Sequence, residues 1–109
     1  MSHYHDENDL KFLSEMSRLS PEEFKAWMNL DRIVAREDGQ IPRKYRELIA
    51  LAVAFTTQCV YCIEVHTKAG KLAGVSREEL SETAFLAAAL RAGGAATHGA
   101  LALKFFNQE

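Results

Sequence analysis

Cysteine, proline and long apolar runs are all scarce in this 109-residue chain, and each scarcity closes off a class of protein. Two cysteines, Cys59 and Cys62, are too few and too close for a structural disulfide framework, because the loop they would close is tiny. The first residues are polar and acidic, without the positive region and apolar run of an export signal, so a reducing, cytoplasmic setting is expected. The longest apolar stretch, Leu48 to Phe55, is far short of the roughly 20 residues a membrane-crossing helix needs, and no membrane role is expected. No block of Lys or Arg is present and the formal net charge is -2, so nucleic acid is not an expected partner. Gly93-Gly94 and Gly99 do not follow a strand, so there is no nucleotide-binding loop, and no cofactor is expected.

What is there describes a packed globular chain. Hydrophobic residues make up 48% and charged residues 26%, which excludes a disordered or collagen-like protein. The length suits a single domain over 1–109. With only two prolines and apolar residues recurring at three- and four-residue spacing, the pattern is all-α: a compact single-domain helical bundle of about five to six helices, without a strand.

A first helix is expected from about Asp9 to Arg18, while His3 and His5 read as a disordered terminus. Ser20-Pro21-Glu22-Glu23 has the form of a capping box with proline at the first helical position, opening a helix that Asp38-Gly39 ends. Ile41-Pro42 starts the next, whose second half is apolar all round and must be covered on several sides, centrally or by a neighbouring subunit. Thr56-Thr57-Gln58 breaks it. A helix then starts around the CxxC and runs to Lys71 or Ala73, with Gly74 capping its end. Ser76-Arg77-Glu78-Glu79 repeats the capping box and opens an alanine-rich helix that Gly93-Gly94 is expected to interrupt, leaving a last helix to Phe105 or Phe106. The small residues from Ala84 to Ala102 permit close helix approach, and the chain is too short to bury every apolar face alone. A homo-oligomer is therefore expected.

The chemistry concentrates in Cys59-Val60-Tyr61-Cys62-Ile63-Glu64-Val65-His66. On a helix, His66 stands one turn from Cys62 on the same face, where an imidazole can reach the thiol. A free thiol titrates near 8.5, and a helix N-terminus or an imidazolium favours the thiolate that attacks peroxides and disulfides. Cys59, three positions earlier, can attack the oxidised sulfur of Cys62 and close a disulfide. Glu47 lies in the preceding helix. If the chain turns back near Gln58, a rise of about 1.5 Å per residue puts Glu47 roughly 16 Å back along one helix and His66 roughly 12 Å back along the other. The two could then meet, giving a relay of carboxylate, imidazole and thiol, with the histidine or a water bridging to Cys62.

The strings Glu47-Leu48-Ile49-Ala50-Leu51-Ala52-Val53-Ala54 and Cys59 to His66 closely resemble the alkylhydroperoxidase D-like branch of the carboxymuconolactone decarboxylase family. The resemblance runs from about Ile41 to Ala102, including Arg91-Ala92-Gly93-Gly94 and His98-Gly99, with residues 1–40 as an N-terminal helical extension. It implies an all-α fold, a homo-oligomer such as a trimer or hexamer, and reduction of a small-molecule hydroperoxide. Carried over by position, Cys62 is the attacking cysteine, Cys59 the resolving one, and His66 and Glu47 the proton-relay residues. It further implies a dithiol reductant, a lipoylated protein or a thioredoxin-like donor. Tyr61 is a departure, standing where the best-studied two-repeat members have a histidine.

Two other assignments remain open at this level. Carboxymuconolactone decarboxylases proper act on a lactone acid by proton transfer and lack the cysteine pair. Cys59, Cys62 and His66 could also be three ligands of a structural zinc ion, with His98 or a second subunit supplying the fourth.

Overall fold

The computed structural model describes residues 5–109, and its elements are helical throughout, with no strand among the described residues. A 3-10 turn over Glu7–Lys11 leads into α1 (Phe12–Leu19), followed by α2 (Pro21–Val34), α3 (Arg43–Thr57), α4 (Val60–Leu72) and α5 (Arg77–Phe106). Five α-helices in one domain agree with the expected class. His3 lies outside the described residues.

The capping residues account for the boundaries, in two places differently from the sequence pattern. Asp6 and Asp9 cap the 3-10 turn reciprocally, so the first helix is preceded by a turn that its apolar spacing did not announce. Ser20 does not form the expected capping box: its side chain makes no cap hydrogen bond. The reason is that Ser20 also closes α1, its N–H donating to the Met16 carbonyl at 2.8 Å, with a backbone at φ -136°, ψ 69° fixed by that junction. At Ser76 the box does form, with Ser76 Oγ accepting from Glu79 N–H at 3.1 Å and Glu79 Oε1 accepting from Ser76 N–H at 2.8 Å. Removing it by Ser76→Ala is expected to cost about 1 kcal/mol in denaturant unfolding.

α2 ends at Val34, before the expected stop at Asp38-Gly39, because two arginines from α3 take its terminal carbonyls. Arg46 donates to Val34 O at 2.8 Å and Arg43 to Ala35 O at 2.7 Å. The expected break at Gly93-Gly94 is likewise absent: α5 runs unbroken for 30 residues. Glycine in a helix interior costs only about 0.5–1 kcal/mol, and the alanines and leucines around the pair carry the helix through it.

α3 is the central helix, packing against both α4 and α5. Leu51 and Ala54 of α3 and Ala87 of α5 form the small buried core, and Gly70 of α4 is buried where that helix passes close to Glu47. Part of the apolar surface of α3 is uncovered within one chain, Ile49 being 51% and Val53 54% exposed. Every residue of α5 beyond Ala87 is exposed, so its second half projects from the bundle. The radius of gyration is accordingly 18.1 Å, against about 13 Å for a close-packed chain of this length. The 3-10 turn reaches α4 through Tyr61, and His5, which the sequence assigned to a disordered terminus, stands edge-on to that ring with centroids 5.4 Å apart. No helix among the described residues is long and apolar enough to cross a membrane.

Lys44 of α3 and Glu79 of α5 form an ion pair at 2.8 Å that ties the two helix starts. The lysine's hydrogen bond holds the Glu79 carboxyl below its ordinary value of 4.5, and Glu79 raises Lys44 above 10.5 in return. A depressed carboxyl stabilises above its unfolded value and loses that contribution as pH falls through the folded value; a raised lysine loses it only as pH climbs past the folded value. Glu79→Gln is therefore expected to lower the melting temperature at pH 7, with the gap to the native protein closing as pH falls below about 4.

Candidate active site

The site is built on the α3–α4 hairpin. Gln58, with φ 58° and ψ 42°, is in the left-handed region and turns the chain back, while the N–H of Cys59 donates to Ala54 O at 3.0 Å. Cys59 thereby becomes the N-cap of α4, its sulfur accepting from Cys62 N–H at 3.3 Å. Cys59 and Cys62 are joined as a disulfide, with Cα atoms 5.3 Å apart, inside the range such bonds need. Both sulfurs therefore sit at the end of α4 where the helix dipole favours negative charge.

The reversal at Gln58 brings Glu47 and His66 together as the helix-rise estimate allowed. His66 Nδ1 is 2.7 Å from Glu47 Oε2, and Arg43 Nε donates to Glu47 Oε1, also at 2.7 Å. Glu47 is 2% exposed, in contrast to the solvated helix residue that its charged neighbours Arg43, Lys44 and Arg46 indicate when it is taken alone. Two donors on its two oxygens suit an ionised carboxylate, which makes Nδ1 of His66 the protonated nitrogen and leaves Nε2 able to accept a proton. α4 is continuous from Cys62 to His66, so their Cβ atoms lie about 5–6 Å apart on one face. All four sequence-identified residues are thus carried by one hairpin, with Glu47 meeting His66 directly and Cys62 standing one helical turn from His66 on α4.

Two contributors were not singled out from the sequence. Arg43 was legible in principle, since it stands four residues before Glu47 on one helix face. Gly70 was not: a Cβ there would stand 3.6 Å from Glu47 Cβ, a proximity that depends on how α4 crosses α3. Among the described residues no group of three or more His, Cys, Asp or Glu converges as a metal site. His98 turns to its own helix, its Nδ1 3.0 Å from Gly94 O.

Beside the Glu47–His66 pair lies a cavity of about 430 Å³. Val34, Ile41, Ile49 and Val65 give it apolar walls, Arg43, Glu47 and His66 also line it, and neither cysteine does.

The family profile described as "Carboxymuconolactone decarboxylase family" matches residues 21–105, taking in both helices of this hairpin. The chain belongs to the carboxymuconolactone decarboxylase family. Within it, the chain is 36% identical over 96 residues to "Uncharacterized protein 4 in cox locus" of Paracoccus denitrificans, covering 88% of this chain and 86% of that one. An uncharacterized protein of Cupriavidus necator is 32% identical over 73 residues, covering 67% and 65% of the two chains. One of Haemophilus influenzae is 38% identical over 64 residues, covering 59% and 56%. The family match extends upstream of Ile41 to include α2, whose end walls the cavity.

Proposed function

We propose that this member of the family is a thiol peroxidase of the alkylhydroperoxidase D-like type, cycling Cys59 and Cys62 between dithiol and disulfide. The observation that carries this is the 2.7 Å contact between Glu47 and His66, one helical turn from Cys62 in a vicinal pair able to close a disulfide. His66 takes the proton of Cys62 through Nε2, and Glu47 holds the imidazolium that results. The Cys62 thiolate attacks the distal oxygen of a hydroperoxide, giving a sulfenic acid and an alkoxide that receives the proton from His66. Cys59 then attacks the sulfenic sulfur, water leaves, and the disulfide forms. An external dithiol, from a lipoylated protein or a thioredoxin-like donor, returns two electrons and two protons. The test is a turnover assay with several hydroperoxides and with dihydrolipoamide or thioredoxin. Consumption by the native protein is expected, and equal consumption by Cys62→Ser would overturn the proposal.

One observation favours a second reading. Glu47 and His66 line a cavity that the cysteines do not, an arrangement suited to proton transfer on a bound acid or lactone, as in the decarboxylases of the family. Full activity of a Cys59→Ser/Cys62→Ser variant on such a substrate would select it.

The active form proposed is a homo-oligomer. The chain exposes 9099 Å², against about 6,100 Å² for a compact monomer of this size, and its exposed apolar residues include Ile49 and Val53 of α3 and Leu86 and Leu90 of α5. Leu48, Val53, Leu86 and Leu90 line an apolar groove of about 660 Å³ between those helices. Leu90 is 66% exposed in one chain, so on a monomer Leu90→Glu would change stability by no more than about 0.5 kcal/mol. Analytical ultracentrifugation is expected to show an assembly for the native protein and its dissociation in Leu90→Glu. A native protein that sediments as a stable monomer would refute the assembly.

A further inference from the structure

Tyr61 stands between the two cysteines, and its hydroxyl donates to Asp9 Oδ2 at 2.6 Å. The same oxygen accepts from the N–H of Asp6 at 2.8 Å, closing the capping box of the 3-10 turn. His5 adds an edge-on ring contact, with Nδ1 3.3 Å from the Tyr61 hydroxyl. One carboxylate oxygen therefore serves two structures at once: the fold of the N-terminal turn and its attachment to the peptide that links Cys59 to Cys62. The hydrogen bond to Tyr61 holds the Asp9 carboxyl below its ordinary range and pushes the Tyr61 phenol above its own. At neutral pH the bond is thus a charge-assisted one between a phenol and a carboxylate.

We propose that Asp9 and Tyr61 are positioning residues that clasp the N-terminal turn onto the Cys59–Cys62 segment and thereby favour its disulfide form. The inference rests on the dithiol cycle proposed above. Tyr61 is the second residue of α4, and the disulfide closes the half-turn that carries it, restricting where its ring can point. Reduction by an external dithiol breaks the S–S bond, places two electrons and two protons on Cys59 and Cys62, and forms the reductant's own disulfide. The half-turn then gains freedom, and the clasp loses part of its preorganisation. Coupling of this kind is reciprocal: if the disulfide favours the clasp, the clasp stabilises the disulfide by the same factor.

The test is equilibration of the full chain against a dithiothreitol redox buffer, with free thiols read by alkylation. Asp9→Asn and Tyr61→Phe are each expected to make the disulfide about tenfold easier to reduce, a potential about 30 mV less negative, with recovery toward the native value in Asp9→Glu. A part that merely braces the fold would lower the melting temperature and leave the potential in place. Amide exchange on the unsubstituted protein gives a measurement that needs no variant to fold: residues 5–11 are expected to exchange faster when the pair is reduced. Variants that titrate with the native protein, or exchange in residues 5–11 that ignores the redox state, overturn the clasp. A native disulfide that cannot be opened and re-formed overturns the dithiol cycle itself, a result distinct from a cycling pair with an unmoved potential.

Discussion

Cys62→Ser is expected to end hydroperoxide turnover and Cys59→Ser to stop it after a single oxidation. The two thiols are chemically alike, and their surroundings divide the work. Cys62 has His66 one turn along α4, and His66 is oriented by Glu47, which in the proposed cycle makes the imidazole the acceptor of the Cys62 proton. Cys59 sits at the N-cap with no such neighbour on its own helix, but at 5.3 Å between Cα atoms it is placed to attack an oxidised Cys62. Without Cys59 the sulfenic acid formed at Cys62 has no internal partner and accumulates. Rapid-mixing experiments with one equivalent of hydroperoxide should show one thiol lost per chain in Cys59→Ser, trapped by a sulfenic-acid reagent, and none in Cys62→Ser. The reverse pattern would exchange the two roles.

His66→Ala is expected to slow the oxidation of Cys62 by roughly 10²- to 10⁴-fold at pH 7, the usual worth of a positioned general base. The loss should shrink as pH rises past about 8.5, where a free thiol ionises without help. That pH dependence separates a missing base from a damaged fold, which would depress the rate at every pH. Glu47→Gln should give a smaller loss with the same pH signature. An amide can still hydrogen-bond His66 Nδ1, but it carries no charge to hold an imidazolium, and it leaves Arg43 facing a neutral group at the position where it now donates at 2.7 Å. Stopped-flow measurement of thiol loss across pH 6 to 10 would resolve both variants. Rates unchanged in both would remove the relay and leave Cys62 activated by the helix terminus alone.

Much of this was legible from residue spacing. Cys62 and His66 lie four apart on a continuous helix, so their shared face follows from helical geometry once the helix is granted. The meeting of Glu47 with His66 was accessible through the position of the turn, because Gln58 lies at similar distances along the chain from both. The Ser76 capping box was read correctly and the Ser20 one was not, although the two strings have the same form. Ser20 closes one helix while opening the next, and a local pattern does not show which hydrogen bond its backbone serves. Gly93-Gly94 misled for a related reason. A glycine pair weakens a helix by a modest amount, and a long run of strong helix formers outweighs it.

By itself the sequence determined the helical class and the shared helix face of Cys62 and His66, and it allowed Glu47 to meet His66 if the chain turned back near Gln58, since each depends on residues close in the chain or on the period of a helix. Only the tertiary structure decided that Glu47 is buried rather than solvated, that Arg43 and Arg46 end α2, that Gly70 of α4 lies beside Glu47, and that Asp9 reaches Tyr61. Those features depend on how separate helices cross and on which distant groups then share a hydrogen bond. Short-range periodicity carries no record of either.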